Sequence, residues 1–108
     1  MIPQVTPKAL AEWRADAARA APLLVDVREP WETRICGIEG AQLTPMAALP
    51  GAVASLPRDR DIVLVCHHGG RSMHAGMWLR AQGFERVHNL QGGVAAWADA
   101  VEPAMPRY

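Results

Sequence analysis

The sequence predicts an α/β fold, a parallel sheet covered by helices, and three observations carry that expectation. Strand-like and helix-like segments alternate along the chain, as they do where strands are joined by helical crossovers. The two clearest strand candidates, Leu23–Val27 and Asp61–Cys66, are largely continuous apolar runs, the pattern of strands buried on both faces. Punctuation agrees: Pro7 stands just inside one helix start and Gly83 just past another helix end, which is where those residues begin and stop helices.

Taken in order, Thr6-Pro7 caps and opens a helix through about Arg19, with Leu10, Trp13, Ala17 and Ala20 near helical spacing, so Trp13 reads as core. Leu23–Val27 follows as a strand, and a short helical piece occupies Pro30–Arg34. Ala41–Leu43 is a weaker strand candidate. Met46–Leu56 is helical, interrupted at Pro50-Gly51. Asp61–Cys66 is the next strand, then a helix from about Ser72 to Gln82, a weak strand at Arg86–Leu90 and a closing helix at Val94–Ala100. Gly92-Gly93 makes the turn into that helix, with Trp97 in the core beneath it. The whole chain, 1–108, reads as one domain, and residues 101–108, with two prolines, as its tail.

Composition narrows the function. Eleven basic and eleven acidic residues cancel, and no basic run offers itself to nucleic acid or an anionic membrane. No apolar run approaches a membrane span. MIPQVTPKAL has neither the charged region nor the apolar stretch of a secretion signal. Two cysteines make no disulfide framework. A cytoplasmic location with two free thiols is the expectation.

The chemistry concentrates in IVLVCHHGGRSMHAGMWL, Ile62–Leu79. A buried strand ends in Cys66, a polar loop with Gly69 and Gly70 follows, and Arg71-Ser72 opens a helical pattern. Backbone N–H groups and the helix dipole there favour an anion, either the thiolate or a bound oxyanion. Glycines free to take φ > 0 let successive N–H groups turn inward. Arg71 adds a planar cation able to grip an oxyanion with two hydrogen bonds. A thiol so placed reads as a nucleophile.

Four stretches in order resemble the single-domain rhodaneses, a sulfurtransferase family: LLVDVREPWE (Leu23–Glu32), GIEGAQLTP (Gly37–Pro45), CHHGGRS (Cys66–Ser72) and NLQGGVAAW (Asn89–Trp97). The resemblance implies a rhodanese-like domain, with a central parallel sheet of about five strands and helices on both faces. It implies that Cys66 takes the outer sulfur of thiosulfate, or of a persulfide or polysulfide, and becomes a persulfide. Cyanide or a thiol then removes that sulfur. Amides from His67, His68, Gly69, Gly70, Arg71 and Ser72 would hold the sulfur anion, and Arg71 the donor's sulfonate. No metal or organic cofactor is needed. The donor and acceptor are small molecules, with a protein sulfur acceptor as a second class of partner and neither nucleic acid nor membrane expected. Two other readings stay open: a carrier module that delivers sulfur to one protein, and a cysteine phosphatase or arsenate reductase. The last is disfavoured because four residues separate Cys66 from Arg71, where the phosphatases of similar pattern have five.

His67 and His68 read as solvent-facing loop residues tuning local charge, with hydrogen bonding or proton shuttling as the alternative. Asp26 and Arg28 lie at the polar end of a strand and support the loop, or Asp26 pairs structurally with an arginine. Glu32 reads as a surface or helix-start carboxylate. Gly37 stands where the family usually has histidine. Cys36 reads as an inert buried thiol, with attack on an oxidised or persulfidated Cys66 as its alternative. Trp31 and Trp78 are unassigned, although a tryptophan near the loop would shape an acceptor site.

Overall fold

The computed structural model describes residues 1–108. Five strands, β1 (Gln4–Val5), β2 (Leu23–Asp26), β3 (Gln42–Leu43), β4 (Ile62–Val65) and β5 (Val87–Leu90), form one sheet in the order β1-β5-β4-β2-β3. Every pairing is parallel. The helices are α1 (Pro7–Ala15), α2 (Pro30–Ile35), α3 (Leu49–Ala52), α4 (Gly70–Ala81) and α5 (Gly93–Ala100).

β4 is buried at all four positions, and its side chains alternate between two core clusters. Ile62, Leu64 and Cys66 pack with Leu49, Ala75, Leu79 and Phe84 on one face. Val63 and Val65 pack with Leu10, Trp13, Val94 and Trp97 on the other. The sheet is therefore covered on both sides, and the continuous apolar runs are explained by that double burial.

Several boundaries differ from expectation for identifiable reasons. The first helix stops at Ala15 rather than Arg19. Asp16 turns extended and its side chain accepts from the Ala18 amide at 2.9 Å, a local bond that competes with the helix. Trp13 Nε1 then ties the returning chain through the Ala20 carbonyl at 3.0 Å. Pro50 does not break the helical stretch, because it falls in the first turn of α3, where no intrahelical N–H is lost. Short 3₁₀ turns flank that helix at Met46–Ala48 and Val53–Ser55. β1 was not anticipated, being two residues at the sheet edge.

The segment read as a tail, residues 101–108, is a correction: it packs back onto the domain. Met105 is buried in the same cluster as Trp97, and Tyr108 reaches the C-terminal end of β2 through Arg28.

Topology places the site. The chain leaves β2 toward β3 and leaves β4 toward β5, so connections diverge above two adjacent strands. Ligands in such sheets bind where the strand order reverses, and Cys66 follows β4 at that point.

Candidate active site

Cys66 is 1 % exposed. Its Sγ accepts from the Gly69 amide at 3.0 Å and lies 3.2 Å from Ser72 Oγ. Gly69 takes φ +103° to aim that amide, a conformation that glycine adopts without steric cost. α4 begins at Gly70, so the thiol faces the N-terminal end of a twelve-residue helix and its positive dipole. The loop backbone is also held from behind, because Val94 N donates to the Cys66 carbonyl at 2.9 Å and Ala95 N to the His67 carbonyl at 3.1 Å. These are first-turn amides of α5, which have no acceptor inside their own helix.

Arg71 has a partner that the sequence did not show. Its guanidinium is already committed, with Nη1 2.8 Å from Glu32 Oε2 and Nη2 2.7 Å from Glu32 Oε1. The two-pronged grip expected for a donor's sulfonate is made by a side chain of the protein itself. Glu32 is correspondingly not a surface group. It is 3 % exposed and sits at the third position of α2, where its Oε2 also accepts from the Glu29 amide at 2.8 Å. The hydrogen bonds from Arg71 hold its pKa down at about 2, against the opposing effect of burial.

Asp26 does pair structurally with an arginine, but the partner is its own neighbour Arg28 rather than one from elsewhere in the chain, Nη2 to Oδ2 at 2.7 Å. Arg28 is wholly buried and also donates to the Cys36 carbonyl at 2.8 Å and to Tyr108 Oη at 2.9 Å. Burial opposes its charge, yet the hydrogen bonds to Asp26 and Tyr108 keep its pKa above the ordinary value. Gly37, which stands where the family usually has histidine, is exposed, and a Cβ there would meet only Arg28 Nη2 at 3.4 Å.

Tyr108 is the residue sequence reasoning missed. Its hydroxyl accepts from Arg28 and donates to Glu32 Oε1 at 2.9 Å, joining the β2 pair to the Glu32–Arg71 pair. Its ring stacks on His67 with centroids 3.9 Å apart, and His67 stacks on His68 at the same distance. His68 is exposed, as expected, but His67 is half-buried. Burial, with His68 and two arginines nearby, lowers the His67 pKa against the pull of Glu32. Proximity of an aromatic residue 76 positions away leaves no local trace in sequence; a lone tyrosine after a proline-rich stretch was the one signal.

Cys36 lines a cleft of about 140 Å³ with His67, His68 and Tyr108. It packs in the core cluster on the opposite face of the sheet from Cys66, which supports the inert-thiol reading over attack on Cys66. Trp31 is 57 % exposed with its ring edge against Tyr108. Trp78 lines a separate groove with Met46, Leu49 and Pro50.

The family model for the rhodanese-like domain matches residues 6–100. The chain belongs to the rhodanese-like domain family. Among relatives of this rhodanese-like domain is a sulfurtransferase of Allochromatium vinosum, 39% identical over 98 residues, 91% of this chain and 90% of that protein. The probable adenylyltransferase/sulfurtransferase MoeZ of Mycobacterium tuberculosis is 40% identical over 106 residues, 96% of this chain. The chain spans only 26% of MoeZ. A rhodanese-like domain protein from Staphylococcus aureus has the same fold, with a TM-score of 0.82, 29% identity, and coverage of 93% of this chain and 95% of that one. No helix here is long and apolar enough to cross a membrane.

Proposed function

We propose that this rhodanese-like domain is a sulfurtransferase that works through a Cys66 persulfide. The observation that carries the proposal is the Cys66–Arg71 loop itself. A buried thiol sits at a helix N-terminus, with one amide and one hydroxyl on its sulfur, inside a cradle only four residues wide between cysteine and arginine.

The Cys66 thiolate attacks the outer sulfur of the donor. A new S–S bond forms, the donor's own S–S bond breaks, and its electron pair leaves with sulfite when the donor is thiosulfate. A thiol or cyanide then attacks the outer sulfur, and the electrons of the breaking bond return to Cys66. First-turn amides of α4, without intrahelical acceptors, supply the donors for the outer sulfur's negative charge. Arg71 acts through its charge and by bracing the loop against Glu32 rather than by clamping a sulfonate. This fits a persulfide or polysulfide donor at least as well as dianionic thiosulfate. The four-residue spacing between Cys66 and Arg71 weighs against phosphatase chemistry.

Delivery to a protein acceptor is the second reading, and the exposed Trp31 beside the Tyr108–His67 stack favours it. A cytoplasmic setting would keep both free thiols reduced. Thiocyanate formation from thiosulfate or polysulfide plus cyanide tests the enzyme reading. Loading of sulfur without turnover would select the carrier reading instead.

A further inference from the structure

The Cys66 sulfur shares its side-chain donor with a competitor. Ser72 Oγ lies 3.2 Å from Cys66 Sγ, 3.3 Å from the Gly69 carbonyl and 2.5 Å from Asn89 Oδ1, yet a hydroxyl has one proton to give. Asn89 cannot be turned round to relieve the conflict. Its Nδ2 donates to the Gly69 carbonyl at 3.2 Å and to Gln4 Oε1 at 3.0 Å. The Gly69 carbonyl can only accept, so a reversed amide would set oxygen against oxygen. Oδ1 therefore faces Ser72. Ser72 is 0 % exposed, Cys66 1 % and Asn89 2 %, so water does not stand in for a missing partner.

We propose that Asn89 is a positioning residue that controls the Cys66 sulfur through Ser72, accepting the Ser72 hydroxyl's hydrogen bond whenever the sulfur is uncharged and giving it up when the sulfur is an anion. In the thiol state, Cys66 S–H donates to Ser72 Oγ, and Ser72 O–H donates to Asn89 Oδ1. Loss of the thiol proton to solvent turns the Ser72 O–H onto the thiolate; the proton stays on Oγ, and no other covalent bond changes. Asn89 Oδ1 then loses its donor, which sets a counterweight against the thiolate. In the persulfide the charge moves to the outer sulfur, and the Ser72 proton returns to Asn89. This last step rests on the sulfur-transfer reading, whereas the thiol equilibrium does not. The hydroxyl thus turns once in each half-reaction, and the counterweight keeps the thiolate from becoming too stable to attack.

Other charged and titratable groups on the loop and the elements packed around it are left unchanged by the test. They are Arg71 of α4, His67 and His68 of the loop, Glu32 of α2, the Asp26–Arg28 pair after β2, and Tyr108. His88 of β5 is occupied by Asp61, and α5 has no acidic residue in its first turn.

The test is a pH titration of thiolate absorbance without any sulfur donor, in a Cys36→Ala background so that Cys66 is the one thiol. Asn89→Ala is expected to lower the midpoint by about half to one pH unit, because the competitor for the Ser72 proton is gone. Ser72→Ala is expected to raise it by about one unit. In the Ser72→Ala background, Asn89→Ala is expected to move the midpoint by less than about 0.2 unit, the signature of one residue acting through the other. An Asn89→Ala shift that persists without Ser72, an upward shift, or no shift overturns the proposal. Should Asn89→Ala not fold, Asn89→Asp serves: it raises the midpoint, and removing Ser72 must cancel at least half of that rise. An undiminished rise would mean that charge alone is at work, and would overturn the proposal too. Because the titration contains no donor, its outcome is separable from any failure of sulfur loading or turnover.

Discussion

Replacing Tyr108 with phenylalanine removes one oxygen from the junction of the buried Asp26–Arg28 pair and the half-exposed Glu32–Arg71 pair and leaves the ring on His67. The lost hydroxyl accepts from Arg28 Nη1 and donates to Glu32 Oε1, both at 2.9 Å. Arg28 is wholly buried, and without Tyr108 the partner left to Nη1 is the Cys36 sulfur at 3.9 Å, too far to substitute. Glu32 Oε1 keeps Arg71 at 2.7 Å. A hydrogen bond to a charged group contributes about 1.5–3 kcal/mol, and an unpaired buried donor costs about 1–3 kcal/mol. Tyr108 is itself half-buried, so water reaches the Glu32 side and the lower end applies, about 1.5–2 kcal/mol in total. At about 4 °C per kcal/mol for a domain of this size, Tm falls by roughly 6–8 °C. Urea unfolding near neutral pH measures the change, with the m-value expected to stay constant. Tyr108→Ala also loses the stack at 3.9 Å and is expected to cost about 1 kcal/mol more. A Tyr108→Phe protein within about 0.3 kcal/mol of the parent, well under the cost of an orphaned buried donor, would refute the claim that residues 101–108 brace the site.

Acid unfolding offers a second check. The Glu32 pKa is about 2, below its ordinary 4.5, so its contribution is full above pH 4.5 and is lost as pH falls toward 2. The full shift corresponds to about 3 kcal/mol; the Arg71 side chain is 40 % exposed, and screening leaves about 1–2 kcal/mol. The stability gap between the parent and Glu32→Gln should therefore narrow by that amount between about pH 5 and pH 2, and a constant gap would contradict the pairing. Gly93→Ala should cost more than about 2 kcal/mol and lower turnover at least tenfold. Gly93 takes φ +62°, and a Cβ there would lie 2.4 Å from the Cys66 and His67 carbonyls, displacing the loop. Parental activity in that variant would mean the loop tolerates the shift. Cys36→Ala should keep full turnover and normal recovery from peroxide, and delayed recovery would restore the resolving-thiol role.

The parts legible in sequence are those encoded by contiguous residues. β4 and the loop after it read directly from IVLVCHHGGRS, because burial on both faces demands an unbroken apolar strand and the turn demands glycine at Gly69. A structural role for Asp26 was visible too, although its partner turned out to be Arg28, two residues on, rather than a distant arginine. Contacts across long separations were not legible. Glu32 meets Arg71 39 positions away, and Tyr108 meets Glu32 76 positions away. A carboxylate beginning a helix looks the same in sequence whether it faces solvent or a guanidinium. Asn89 was seen only as part of NLQGG, since its contact with Ser72 lies 17 positions away in sequence. The length of α1 was overread because Ala17 and Ala20 continue the helical spacing, while the Asp16 side chain bond to Ala18 ends the helix locally.

The most direct test of sulfur transfer through Cys66 is intact-protein mass spectrometry of the reduced protein before and after thiosulfate or polysulfide, beside Cys66→Ser. The expected result is a gain of one sulfur atom that is absent in Cys66→Ser and is discharged by cyanide as thiocyanate. A protein that gains no sulfur from either donor, or gains it equally without Cys66, would contradict the account.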